Sequence, residues 1–149
     1  MAQTTGAISF KDVKIEVSTD GNSWTDISGF ANNIKLKGFT RNTGEYYTAS
    51  GDTAILKAGK RKPGTITIEC AYTEGAAEPY AIFDTAYSTP SDVYARWSPK
   101  GGSTGQKRFT SSVGIVSEPV YAVGDVEKGD IVKINCTLEC VSITPSTIP

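Results

Sequence analysis

The chain has no histidine in its 149 residues, so it lacks the side chain that most often serves as an acid–base catalyst near neutral pH. No G-x-S-x-G segment or other nucleophile motif occurs either. The neighbouring carboxylates Asp125 and Glu127 lie in turn-like sequence, where solvated charge is the usual explanation. The sequence therefore predicts a protein that is not an enzyme and that needs no cofactor.

Cysteine is scarce, with three residues at positions 70, 136 and 140. Cys136 and Cys140 are four strand residues apart, roughly 13 Å at about 3.3 Å per residue, which is too far for a disulfide. Without histidine or a CxxC pair, a metal site is not expected. An odd number of cysteines on apolar strand faces instead predicts small buried side chains in a reducing compartment.

Excess charge and long apolar runs are also missing. Fifteen basic residues balance sixteen acidic ones, for a net charge of −1, which argues against a nucleic-acid-binding module or a membrane-surface protein and permits self-association. No apolar run approaches 18 residues and the first residues do not resemble a signal peptide. We expect a soluble cytoplasmic protein with no membrane insertion.

Apolar and polar residues instead alternate with a period of two along most of the chain, which is typical of β-strands with one buried face. Strands are predicted at residues 8–18, 23–28, 33–39, 64–73, 91–98, 108–121 and 130–144. One helix is predicted from Pro79 to about Ser88, with Tyr80, Phe83 and Tyr87 on its buried face. The sequence thus predicts one mainly β domain over residues 1–149, with one α-helix packed against its strands.

Two segments depart from this alternation. Residues 40–62 form a long segment without a sustained period between the second and third main strands, with glycines at 44, 51 and 59. The segment is either a solvated loop or an arm ordered by a neighbouring subunit. Candidate contact residues are Tyr46 and Tyr47 at its tip and Lys57, Lys60, Arg61 and Lys62 on its return limb. Residues 144–149, with Pro145 and Pro149, are expected to be a free C-terminal tail.

The order of these parts resembles that of the tail tube (major tail) proteins of long-tailed bacteriophages. The parts are an N-terminal hairpin with a D-G turn and W-x-D-I-S, the long loop, G-T-I-T-I-E-C leading into the helix A-I-F-D-T-A-Y, then D-V-Y-A-R-W-S-P-K-G and a closing hairpin. The resemblance covers about residues 10–143. It implies a subunit that is a β-sandwich or barrel with one α-helix packed on it. It also implies a virion protein, assembled in the host cytoplasm, that forms stacked hexameric rings through which double-stranded DNA passes. It also implies tail terminator, tape measure and tail tip proteins as partners.

In a tube of this kind, the solvent-facing sides of the two most regular predicted strands, 64–73 and 130–144, are candidates for the wall of the bore. They comprise Thr65, Thr67, Glu69, Lys133, Asn135, Thr137 and Glu139. This set has a net charge of −1, so it would repel DNA weakly rather than bind its phosphates. An ordinary solvent-facing sheet would show the same alternation.

Two alternatives remain open at this stage. Tube proteins of contractile tails and of type VI secretion share the fold that the resemblance implies. A carbohydrate-binding β-sandwich would instead use exposed aromatic side chains such as Trp24, Tyr94 and Trp97 as stacking platforms. Trp97 is in phase with Val93 on a predicted buried face, which favours a core position for it.

Overall fold

A computed structural model describes residues 2–149 of the chain. Within them it contains eleven β-strands, one α-helix and a short 3₁₀ turn at Phe10–Asp12. The strands are β1 (Lys14–Ser18), β2 (Thr25–Asp26), β3 (Ala31–Gly38), β4 (Arg41–Tyr46), β5 (Ile55–Arg61), β6 (Gly64–Ala71), β7 (Asp92–Ser98), β8 (Lys107–Ser111), β9 (Gly114–Val116), β10 (Lys133–Cys140) and β11 (Ile143–Thr147). The helix α1 spans Pro79–Ser88.

Nine of the strands form two antiparallel sheets that share β7, and β4 and β5 pair only with each other. The first sheet has the order β2-β1-β7-β8-β11, and the second has the order β7-β9-β10-β6-β3. Strand β7 pairs with β9 through Asp92 and Val93 and with β8 through Arg96 and Trp97, so the sheets diverge along its length. They pack face to face without closing into a barrel. The mainly β sandwich predicted from the sequence is therefore confirmed.

The core lies between the sheets and contains the residues that the alternation predicted. Strands β6 and β10 pair in register over eight residues, from Lys133 opposite Ala71 to Cys140 opposite Gly64. Their inward side chains are buried, namely Ile66, Ile68, Cys70, Ile134, Cys136, Leu138 and Cys140. The prediction that all three cysteines are small buried side chains is confirmed.

Helix α1 begins and ends where the sequence predicted, with Pro79 in its first turn. Phe83 is fully buried against the core, and Tyr80 packs edge to face on Tyr72 with ring centroids 5.0 Å apart. The prediction that Tyr87 also faces the core is wrong, because its side chain is exposed. The buried face passes through Phe83 and Ala86, and Tyr87 lies about 100° around the helix from Ala86.

Residues 40–62 are more regular than predicted. Strands β4 and β5 pair as an antiparallel hairpin, with Arg41 opposite Arg61 and Tyr46 opposite Ile55. The prediction of an irregular loop is wrong for β4 and β5. Antiparallel backbone pairing does not require apolar and polar residues to alternate. Almost every side chain of the hairpin is exposed, so no buried face requires an alternating pattern in its sequence.

Glycines allow the hairpin to leave the sheet sharply. Gly38 has a φ of +89° and lies opposite Gly64 at the end of the β3–β6 ladder. A Cβ atom on Gly64 would lie 2.6 Å from the carbonyl oxygen of Lys37 and 2.5 Å from the ring of Phe39. A side chain at position 64 would therefore collide with the backbone at the base of the hairpin.

The C-terminal part of the chain confirms one prediction and corrects another. Residues 108–121 and 130–144 pair antiparallel as predicted, from Lys107 opposite Thr147 to Val116 opposite Leu138, but the ladder is interrupted: β8 and β11 belong to the first sheet, whereas β9 and β10 belong to the second. Residues 144–149 are not a free tail, since β11 pairs with β8 and Pro145 lies opposite Phe109. A proline is tolerated there because β11 is an edge strand.

Candidate assembly surfaces

The seven polar residues predicted to share a wet face do lie on one face of the second sheet. Thr67 and Thr137 are directly paired, and their Oγ1 atoms are 3.3 Å apart. Lys133, Asn135 and Glu139 are exposed, Thr65, Thr67 and Glu69 are half-buried, and Thr137 is buried. The register, with Asn135 opposite Glu69 and Glu139 opposite Thr65, produces a continuous polar surface.

Strand β3 extends this surface and changes its charge. Lys35 pairs with Thr67 and Lys37 pairs with Thr65, so both lysines share the face. Across β3, β6 and β10 the face carries two glutamates and three lysines (Lys35, Lys37 and Lys133), a net charge of +1, whereas the seven predicted residues alone carry −1. Lys35 and Lys37 alternate with Ile34 and Leu36 in the sequence, but this alternation does not indicate which strand lies beside β3.

Two edge strands leave backbone groups unpaired on one side. Within residues 2–149, β3 pairs only with β6 and β11 pairs only with β8. An open edge presents a row of N–H and C=O groups that can pair with another chain. Both sheets can therefore be extended by strand addition.

The tip of the β4–β5 hairpin is apolar and acidic, whereas the end nearest the sheet is positively charged. Tyr46 and Tyr47 are 69% and 61% exposed, and Ile55 and Leu56 on the opposite limb are exposed as well. The Tyr47 hydroxyl donates a hydrogen bond of 2.8 Å to Glu45, whose carboxylate raises the pKa of that tyrosine. The basic residues Lys57, Lys60, Arg61 and Lys62 follow the return limb toward the sheet and are exposed. The structure thus separates the tyrosines from most of the predicted basic cluster.

A pocket of about 570 Å³ opens at the base of the hairpin, between the ends of the two sheets. We call it the mouth. Its apolar lining includes Leu36, Phe39, Trp97, Phe109, Ile143 and Pro145, and Arg61 and Lys62 also line it. Trp97 stacks on Phe109 with ring centroids 5.6 Å apart. The mouth combines an apolar floor with two cationic side chains, which suits contact with a protein segment more than catalysis.

The aromatic residues considered as sugar platforms are already engaged. Trp97 is 7% exposed and packs on Phe109, and the guanidinium of Arg96 lies 4.2 Å from the centroid of the Trp24 ring. A Cβ atom on Gly21 would contact the ring of Tyr94 at 3.3 Å, so Tyr94 lies against the turn backbone. The alternative of a carbohydrate-binding module is not favoured.

A charge network on the first sheet was not anticipated from the sequence. Arg96 Nε donates to Glu16 Oε2 at 2.6 Å, and Lys14 Nζ lies 3.2 Å from Glu16 Oε1. Burial alone would raise the pKa of Glu16, but the hydrogen bonds from Arg96 and Lys14 outweigh it and hold the pKa below its ordinary value of 4.5. Glu16 and Arg96 are cross-strand partners, a pairing that depends on which strands are neighbours.

The described residues contain neither a cluster of side chains for a metal ion nor a membrane-spanning helix. No group of three or more Cys, Asp or Glu side chains within residues 2–149 is placed to hold a metal ion. Over the same range, no helix has both the length and the apolar character needed to cross a membrane.

The Cys136 thiol contacts that of Cys70, and this contact together with burial raises the pKa of Cys136.

No protein family model matches the sequence, and no curated protein does so either. Solved structures match nearly the whole chain. A chain of the PVC sheath–tube complex of an extracellular contractile injection system, in its extended state, has a TM-score of 0.74 at 16% identity and covers 97% of this chain and 94% of its own. A chain of the SPP1 tail tube has a TM-score of 0.69 at 14% identity, with coverages of 95% and 80%.

A third match is a chain from the tail of an empty gene transfer agent particle, refined with C6 symmetry. Its TM-score is 0.65 at 10% identity, with coverages of 99% and 100%. The predicted resemblance to tail tube proteins is confirmed at the level of the fold.

Proposed function

We propose that the protein is the structural subunit of a phage tail tube, polymerising as stacked hexameric rings that conduct double-stranded DNA into the host. The observation that carries the proposal is the match of the fold to tail structures along nearly the full length of the chain. The subunit would assemble in the host cytoplasm and reside in the virion tail. A tail terminator, a tape measure and tail tip proteins would be its partners.

The open sheet edges supply a physical route to a ring. Adding the β3 edge of one copy to the β11 edge of the next would satisfy backbone groups that are otherwise left to solvent. Repeating one such head-to-tail contact closes a ring when the rotation between copies divides a full turn. The exposed hairpin is then free to lie on a neighbouring subunit and cover Tyr46, Tyr47 and Leu56.

In this ring we assign the polar face of the second sheet to the bore. A conduit must remain wet without binding DNA, because each lysine that contacts a phosphate adds affinity through counterion release. Glu69 and Glu139 offset two of the three lysines on the face. Glu69 is held in place by a 2.7 Å hydrogen bond from Asn32 Nδ2. Hydroxyl and amide side chains occupy the remaining positions.

Electron microscopy of the purified protein tests the proposal. We expect rings or hollow tubes, formed by the protein alone or on addition of a tail tip complex. A stable monomer under both conditions would contradict the proposal. Retention of a sugar by that monomer on a glycan array would favour the binding module instead.

Charge variants test the assignment of the bore. Glu69→Lys with Glu139→Lys changes the face by four charge units per subunit, from +1 to +5, whereas the matched Glu→Gln pair raises it only to +3. We expect tails of normal length from both variants, with genome ejection slowed most by the lysine pair and restored by added salt, because salt weakens phosphate binding steeply. Normal ejection by the lysine pair would show that this face does not line the bore.

A further inference from the structure

The two ends of the second sheet differ in charge. Strands β6 and β10 pair from Lys133 to Cys140, so the ends of this ladder are about 23 Å apart at about 3.3 Å per residue. The hairpin and the mouth lie at the end that holds Gly64 and Cys140. Residues 118–131, which we call the acidic loop, lie at the opposite end. Val123 of this loop forms a bridge with Lys133, the first residue of β10.

Charge is strongly segregated between these ends. Residues 57–62 carry four basic side chains and no acidic one, whereas the acidic loop carries four carboxylates (Glu118, Asp125, Glu127 and Asp130) against a single lysine. Asp125 is used locally, since its Oδ1 accepts the backbone N–H of Glu127 at 3.0 Å and its Oδ2 lies 4.0 Å from Lys128 Nζ. Within residues 2–149 no ion pair involves Glu127 or Asp130, so both remain available to a partner.

The two ends are also complementary in their apolar groups. Val126 is 96% exposed at the tip of the acidic loop, and Val123 and Ile131 are exposed beside it. The mouth at the other end offers an apolar pocket of about 570 Å³ whose lining includes Arg61 and Lys62. A valine between two carboxylates is therefore presented at one end, and an apolar pocket with two cations is open at the other.

We propose that the acidic loop of one copy docks into the mouth of a second copy, with Val126 in the pocket and Glu127 and Asp130 against Arg61 and Lys62. The inference rests on the proposed function and names the contact that stacks one ring on the next. Because the two surfaces differ and lie at opposite ends of the sheet, the contact is heterologous and repeats in one direction. Every subunit in the stack then has the same orientation.

The hairpin tip is a poorer occupant of the mouth. It is also acidic, through Glu45 and Asp52, but Glu45 already accepts a hydrogen bond from Tyr47. The tip and the mouth belong to the same end of the second sheet. A contact between them would join copies side by side more readily than along the strand direction.

Charge reversal tests the contact. We expect Glu127→Lys with Asp130→Lys, and separately Arg61→Glu with Lys62→Glu, to yield rings that no longer stack, and all four changes together to restore tubes. Asp12→Lys with Glu74→Lys is the matched control and should still stack, because these exposed acidic residues lie outside the acidic loop, the mouth and the hairpin. Tubes of normal length from either reversed pair would overturn the inference, as would no recovery in the combined variant. A wild-type protein that forms neither rings nor tubes would instead contradict the proposed function.

Cross-linking gives a readout that does not depend on loss of assembly. Val126→Cys with Lys62→Cys introduces two exposed thiols, and the three native cysteines are buried. A bis-maleimide too short to span the sheet cannot join the two positions within one chain. We expect assembled protein to give a ladder of covalent multimers, and each single-cysteine variant to give none. Absence of a ladder from assembled double-cysteine protein would overturn the inference.

Discussion

The β6–β10 pair and the β4–β5 hairpin have the same backbone arrangement but different physical support. Both are antiparallel ladders. In β6 every second residue is buried, whereas in β4 all six residues are exposed. The first pair is stabilised by apolar burial, which is the dominant favourable contribution to folding. The hairpin gains little from burial within its own subunit, so its exposed tyrosines and aliphatic side chains are better explained by contact with another chain.

The largest effect on folding should come from the core side of this comparison. Phe83→Ala should lower the free energy of unfolding by about 3–5 kcal/mol, because the ring is fully buried. Chemical denaturation measures the change, and the exposed neighbour Tyr87→Ala should stay within about 0.5 kcal/mol. An unchanged melting temperature together with lost assembly would mean that Phe83 contacts a neighbouring subunit.

A smaller effect is expected from the charge network of the first sheet. Glu16→Gln removes a charge-assisted hydrogen bond and should cost about 1.5–3 kcal/mol at neutral pH. The pKa of Glu16 is lower in the folded state, so its contribution is present above the ordinary value of 4.5 and is lost as the pH falls through the folded pKa. The stability difference between wild type and variant should therefore shrink in acid. A difference independent of pH would contradict this account of the pair.

The smallest effect on folding should come from the hairpin. Deleting residues 41–59 leaves a short connection between Gly38 and Gly64, which are already paired, so the unfolding free energy should change by less than about 1 kcal/mol. Assembly should nevertheless be lost, because the exposed tip is removed. Tyr46→Ser with Tyr47→Ser offers a milder version with the backbone intact. Normal tubes from the deletion variant would refute a role for the hairpin in assembly.

Hydrogen exchange sharpens the same comparison without any substitution. Amides of residues 41–61 should exchange quickly in the free subunit and slowly in the polymer, whereas those of β6 and β10 should be protected in both. Equal protection of the hairpin in the two forms would mean that its own ladder suffices to order it.

The sequence predicted most accurately those strands and helices in which one buried face requires apolar residues to recur at regular spacing. The alternation in β6 and β10 and the span of α1 are recovered because each element has one face against the core. The hairpin and β11 were missed as strands because their side chains are mostly exposed and carry no such period. The contribution of Lys35 and Lys37 to the polar face was missed for a different reason: it depends on β3 lying beside β6, and strand neighbours are not encoded locally.

The same limit explains which parts of the candidate site could be foreseen. The shared face of Thr67, Glu69 and Asn135 was predictable from parity alone. The mouth was not, because Leu36, Trp97 and Ile143 come from three distant segments. Neither was the opposition of the basic hairpin base and the acidic loop, which depends on the direction of β9 and β10.

A three-dimensional reconstruction of the purified polymer by cryo-electron microscopy tests the central claim most directly. The account predicts a hollow tube of stacked rings, with Glu69, Glu139 and Thr137 on the inner wall and the β4–β5 hairpin lying on a neighbouring subunit. A polymer without a continuous bore, or one that places Glu69 and Glu139 on its outer surface, would contradict it.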